Sequence, residues 1–137
     1  MQLTPVIAIH MSAAILATAI GPIALWARIG RQKHPKLHRA FGYAWVTLMI
    51  VTAVSAIFIR DFRLPNLAGF TPIHLLIPLT IGLITLAFKR LFQGNIQAHR
   101  QYMQRTYIGA CVVAGGFTLL PGRYLGTLIW SQWLGLV

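Results

Sequence analysis

Acid is almost missing from this 137-residue chain: Asp61 is the one carboxylate side chain, against 12 lysines and arginines. No carboxylate falls within a long apolar run, which disfavours a proton relay or cation pump built on Asp or Glu. Charge of either sign is scarce as well, at 9% where an average soluble domain carries about 25%. The net charge of +11 would ordinarily suggest nucleic acid, but the basic residues lie between long apolar stretches, so no nucleic-acid partner is expected. Cys111 is the only cysteine; it excludes an intramolecular disulfide and reads as a small apolar packing residue. No phosphate-binding glycine loop is present, since no lysine follows Gly115-Gly116. Ser12 and Ser55 have no carboxylate-backed base, so no hydrolase triad is legible. What is left is one small polytopic membrane domain with a lipid bilayer as its partner.

Uncharged runs cover 1–27, 40–59, 64–88, 106–122 and 124–137. A spanning helix needs about 20 largely apolar residues, and helix is the only open-ended way to cross lipid. The runs predict an all-α, four-helix transmembrane bundle in residues 1–120, with spans near 4–27, 38–59, 70–88 and 99–120. Residues 121–137 follow the helix-stopping pair Pro121-Gly122. Trp130 and Trp133 suit an interfacial tail there. The first run lacks a positive n-region and a cleavage site and is expected to persist as an anchor. Arg28, Arg31, Lys33, Lys36 and Arg39 in the first loop join Lys89, Arg90, Arg100 and Arg105 around the third. Only Arg60, Arg63 and Arg123 fall on the other side. Nine basic residues against three place loops one and three in the cytoplasm and both termini outside it. Asp61, between Arg60 and Arg63, reads as an outer-surface ion pair, a contact of small energetic worth.

Helix two opens with Lys36-Leu37-His38-Arg39-Ala40-Phe41 and helix four with Gln97-Ala98-His99-Arg100-Gln101-Tyr102. Both read His-Arg-x-aromatic. His10 and His74, each preceded by a proline, fall near the outer ends of helices one and three. The chain therefore reads as two parallel two-helix repeats. His34, beside Pro35 in the charged loop, reads as solvated.

One histidine per span is the most informative feature, because ionisable groups in lipid are costly and face the bundle interior. Neutral imidazole is a common axial ligand of haem iron. His10 with His74 and His38 with His99 are candidate bis-histidine pairs for one or two haem b groups, with Arg39 and Arg100 as partners for the inner propionates. Ala14, Ala17 and Gly21 share a helix face with His10, and Gly42 with His38; such strips admit a flat macrocycle, although they also serve plain helix packing. About sixteen residues of helix two separate the two levels, roughly 24 Å, so a single haem is a live variant. His10-Met11 and His99 with Met103 offer a weaker copper reading. Phe41, Tyr43, Trp45, Tyr102 and Tyr107 near the inner ends suggest an aromatic belt or a quinone site beside His38 or His99.

The His38–Gly42 run, the outer His74 and the His99-Arg100-x-Tyr-Met run resemble an uncharacterised family of small bacterial membrane proteins that carries only a domain-of-unknown-function label. The resemblance covers roughly residues 5–125. It implies an architecture and a bacterial inner membrane, and no activity. More distantly the layout is similar to the four-helix core of the di-haem b-type cytochromes, which implies His10 with His74 and His38 with His99 as iron ligands. His38 and His99 sit nearer the helix ends than that pattern asks. The expected function is membrane electron transfer through haem b, to or from quinone, making the chain a membrane oxidoreductase if it is an enzyme. The alternatives are a non-enzymatic scaffold or accessory subunit, as a homo-oligomer or in a larger membrane complex, and a metal or small-molecule transporter. Transport is disfavoured by how little room two-helix repeats leave for alternating access.

Overall fold

The computed structural model describes residues 3–29, 33–62 and 65–136. Arg31 and Arg63, both counted in the charge asymmetry, lie outside the described residues. The chain is all-α apart from an isolated bridge between Leu67 and Phe70. Its main elements are α1 (Pro5–Trp26), α2 (Pro35–Ile57), α3 (Leu76–Phe92) and α4 (Ile96–Thr106). Three helical stretches, Pro5–Trp26, Pro35–Ile57 and Pro72–Phe92, are long and apolar enough to cross a membrane. The last includes a 3-10 turn, Pro72–Leu75, ahead of α3.

Local chemistry sets the helix ends. Thr4 accepts from Ile7 N at 3.3 Å with Pro5 opening α1, and Asn95 accepts from Ala98 N at 3.0 Å to cap α4. Pro35 opens α2, because its fixed φ and missing N–H suit a first turn. α2 and α4 thus begin three residues before the expected 38 and 99, and His38 and His99 lie inside the first turn of each. α3 runs past Phe88 to take in Lys89 and Arg90, whose charge favours a helix C-terminus. It ends at Gly94, which takes a φ of +76° that a side chain would resist.

α4 continues without a break through a π-helical segment, Tyr107–Val113, into α5 (Ala114–Thr118). The whole run covers residues 96–118; its α4 part packs along α3, while its π segment lies on α1; α1 packs along α2, and α2 touches α3. The tail forms a short helical coil, α6 (Tyr124–Thr127) followed by Leu128–Trp133. It folds back so that Trp130 donates to Leu119 O at 2.7 Å.

The interior is closed at mid-height by Ala17, Trp45, Met49, Ile84 and Cys111, with Tyr107 against them. Ala13, Ala17, Gly21 and Ala24 form the buried face of α1. That strip of small residues receives the rings of Trp45 and Tyr107. A Cβ on Gly21 would lie 2.5 Å from Tyr107 and 2.9 Å from Trp45 Nε1, so only glycine lets these rings sit against α1. Trp45 and Tyr107 are therefore core residues and not part of an interfacial belt, whereas Tyr43 is exposed.

The connection between α2 and α3 is tied to the tail. Asp61 pairs with Arg123 at 3.2 Å. Arg60 instead lies over the Phe70 ring, 3.6 Å from its centroid, and donates to Ala68 O at 2.9 Å.

Gly21→Ala should destabilise the protein by about 1–3 kcal/mol, the usual cost of overpacking. Gly42→Ala, where an added Cβ meets nothing within 4 Å, should change stability by no more than about 1 kcal/mol. Thermal unfolding in detergent compares the two; equal behaviour would contradict the packing described.

Candidate functional site: histidines on backbone carbonyls

Each of the four intrahelical histidines reaches across to another element. His10 Nδ1 on α1 lies 2.9 Å from Thr52 O and 3.1 Å from Ser55 Oγ, both in the last turns of α2. His38 Nδ1 at the start of α2 lies 2.8 Å from Ala24 O in the last turn of α1. His99 Nδ1 at the start of α4 lies 2.9 Å from Ala87 O near the end of α3. A carbonyl can only accept, so these three rings carry a proton on Nδ1. In the neutral ring the lone pair then resides on Nε2, which makes no hydrogen bond among the described residues.

His74 is engaged differently. Its Nε2 donates to Ile59 O at 2.8 Å, and its Nδ1 accepts from Thr71 N at 3.0 Å. Both nitrogens are occupied, and the ring lies edge-on to Phe70 at 5.1 Å. The side chain ties the 3-10 turn before α3 to the end of α2.

Contacts across the interior fix the relative level of the inner histidines. Trp45 meets Tyr107 at a centroid distance of 6.4 Å, and Cys111 Sγ lies 3.8 Å from Met49 Sδ. Both pairs are separated by 62 residues, so α2 and α4 run parallel. His38 and His99 differ by 61, which puts them within one residue of a common level, about 1.5 Å along the axis. The hydrogen bonds repeat as well: each histidine lies in the first turn of its helix and bonds to a buried alanine near the end of the helix before it.

Arg39 and Arg100, next to these histidines, are exposed. Neither has a carboxylate partner among the described residues, where Arg123–Asp61 is the one ion pair. One turn beyond His38, Gly42 borders open space. Around His10 the arrangement is tighter: Ala17 and Gly21, on the same face of α1, are already covered by the core. No cluster of three or more His, Cys, Asp or Glu side chains suited to a metal ion occurs among the described residues. Of the aromatic set named for a quinone, Trp45 and Tyr107 turn into the core while Tyr43 is exposed.

The imidazole-to-carbonyl bonds could not be read from spacing, because backbone acceptors leave no mark in a sequence. The parallel register of α2 and α4 is hinted at by the two His-Arg-x-aromatic openings. The core role of Trp45 was missed from the sequence; its helical spacing of four to Met49 and Ala53, both buried, is the signal that points to it.

No curated protein and no solved structure matches the chain. Residues 7–122 match the family described as predicted membrane protein (DUF2306). The match covers most of the chain, and the protein belongs to this family of multi-pass membrane proteins.

Proposed function

We propose that the protein is a b-type haem protein of the membrane that transfers electrons, and that His38 and His99 are the residues that would hold the haem iron near its basic end. One observation carries this reading: the two histidines, level with each other on parallel helices, hold the same Nδ1 bond to a carbonyl and leave Nε2 with its lone pair. A histidine that binds metal through one nitrogen typically donates the other to a carbonyl or carboxylate, which fixes its tautomer and orientation.

The residues at this end fit the group. Arg39 and Arg100 supply guanidinium groups for two propionates, a charge-assisted and frequently bidentate contact. Gly42 leaves the face of α2 above His38 open to a flat ring. When bound, haem supplies one-electron redox chemistry at a potential tuned by its axial ligands and burial. The chain itself orients two imidazoles, would neutralise the propionates through Arg39 and Arg100, and closes the mid-height core with Trp45, Met49, Ile84 and Cys111.

A second haem held by His10 and His74 fits less well as the side chains stand. His10 has the lone pair on Nε2, but His74 would have to release Ile59 O first. The reading therefore places one haem at the inner pair and treats the outer pair as its extension.

The run 96–118 is proposed as the fourth crossing, making two parallel hairpins of like orientation. Its 23 helical residues give a length of roughly 34 Å, enough for a hydrocarbon core of about 30 Å. The charge asymmetry puts the basic end in the cytoplasm and both termini on the far side of a bacterial inner membrane.

The same hydrogen bonds favour a second, non-catalytic reading. Each imidazole bonds to the backbone of a different element, and four such clamps would suit a small scaffold or accessory subunit.

Reduced-minus-oxidised visible spectra of protein from haem-replete cells should show a b-type band. His38→Ala and His99→Ala should each abolish the inner-haem band, and His74→Ala should leave it. A colourless wild-type protein overturns the haem reading and leaves the clamp.

His38→Gln should separate the two roles further. An amide can still donate to Ala24 O, so stability should fall by less than the ~1 kcal/mol that a lost interhelical hydrogen bond costs, while the haem band disappears. Unfolding curves and spectra on the same sample read both effects.

A further inference from the structure

A groove of about 620 Å³ runs between α2 and α3 on the side of the basic end. Its floor is apolar, formed by Val46, Ile84 and Phe88, and its mouth carries Lys89, Phe92 and Gln93. The volume falls within the range of small-molecule sites, about 300–1,000 Å³. We propose that this groove binds the oxidised headgroup of a lipid-soluble quinone.

The polar groups at the mouth are donors. Gln93 Oε1 accepts from Arg90 Nη1 at 3.2 Å, which turns the acceptor end of the amide toward Arg90 and leaves its NH2 to donate. Lys89 contributes an ammonium with three donors and no acceptor, and no carboxylate faces it among the described residues. Thr85, the remaining polar residue of the lining, gives its hydroxyl to Ile81 O at 2.8 Å. The site thus presents donors to a ligand that must bring acceptors.

A quinone brings two carbonyl acceptors and no donor; the hydroxyls of its quinol can accept as well, but each also brings a proton that needs an acceptor of its own. Charge and hydrogen-bond complementarity therefore favour the oxidised form. Phe88 and Phe92 form a tilted pair with centroids 6.3 Å apart, a wall suited to a flat ring. The apolar floor continues toward mid-height, where a prenyl tail can pass into lipid. A phospholipid phosphate shares the acceptor chemistry, but the paired phenyl rings favour a planar headgroup.

The groove also adjoins the proposed haem ligand. Phe88 lies edge-on to the His99 ring with centroids 6.2 Å apart, so one side chain lines the groove and touches His99. This inference rests on the electron-transfer reading for its purpose, yet its binding test does not need haem.

The full chain, reconstituted in nanodiscs of phosphatidylcholine and phosphatidylglycerol, would be photolabelled with a short-chain azido-ubiquinone and the adducts mapped by mass spectrometry. Label should fall on the segment from Ile84 to Gln93 and be displaced by unlabelled ubiquinone, with the quinol at least about tenfold weaker as a competitor. Lys89→Met combined with Gln93→Leu should weaken labelling about tenfold, and Thr47→Val, on an exposed face of α2 outside the groove, should leave it unchanged. Label elsewhere, displacement by added phosphatidylglycerol and not by quinone, or indifference to the double substitution would overturn the proposal. His99→Ala should remove the haem band and keep the label. Label retained in a wild-type protein with no haem band would sink the electron-transfer reading alone.

Discussion

A ring nitrogen placed among apolar helices must find a partner, and here each imidazole finds a backbone carbonyl. That requirement organises the fold. The last four carbonyls of a helix have no partner in its ladder, and that of Ala24 is one of them. Those of Ala87 and Thr52 lie a little further in and accept through the second lone pair of a carbonyl. His38 meets Ala24 near the end of α1, and His99 meets Ala87 near the end of α3. His10 and His74 do the same at the far end of α2, at Thr52 and Ile59. Lipid offers no competing water, so these bonds fix which helix ends meet and at what level. They also fix the tautomer, leaving Nε2 of three of the rings as a base.

Between the two levels of histidine, the middle of the molecule is filled with side chains. Trp45 and Tyr107 lie in the trough left by Gly21, and Cys111 touches Met49 across the interior. The π-helical stretch Tyr107–Val113, which continues α4, falls at this level. Its wider turn changes which residues share a face, and both Tyr107 and Cys111 belong to it. Any cofactor must therefore sit toward an end and not at the centre. The basic end has the room, at Gly42 and in the α2–α3 groove, and it carries Arg39 and Arg100, which have no carboxylate partner among the described residues.

Hydropathy made the all-α class and three spans legible, because long uncharged runs permit little else in lipid. The fourth helical run was harder to delimit. Arg100 and Arg105 lie on an exposed face of α4 and interrupt the apolar count, although the helix continues to Thr118. The His-Arg-x-aromatic openings of α2 and α4 were visible as a pattern, and the equivalent hydrogen bonds of His38 and His99 give that pattern a physical sense. The distinction between His74 and the other three was not legible. It depends on Thr71 and Ile59 offering both a donor and an acceptor to one ring, which only the folded connection provides. The pairing of Asp61 with Arg123 was also hidden, since local spacing offered Arg60 and Arg63; Arg60 covers Phe70, and Arg63 lies outside the described residues.

The central claim is that His38 and His99 are held with Nδ1 protonated and Nε2 free to bind iron. Nitrogen NMR of protein labelled at histidine, recorded without haem and after haem is added, tests this most directly. The account predicts Nδ1–H tautomers at both residues in the haem-free protein, and loss or large paramagnetic displacement of their Nε2 resonances once haem is present. Nε2–H tautomers at either residue, or Nε2 resonances indifferent to haem, would contradict it.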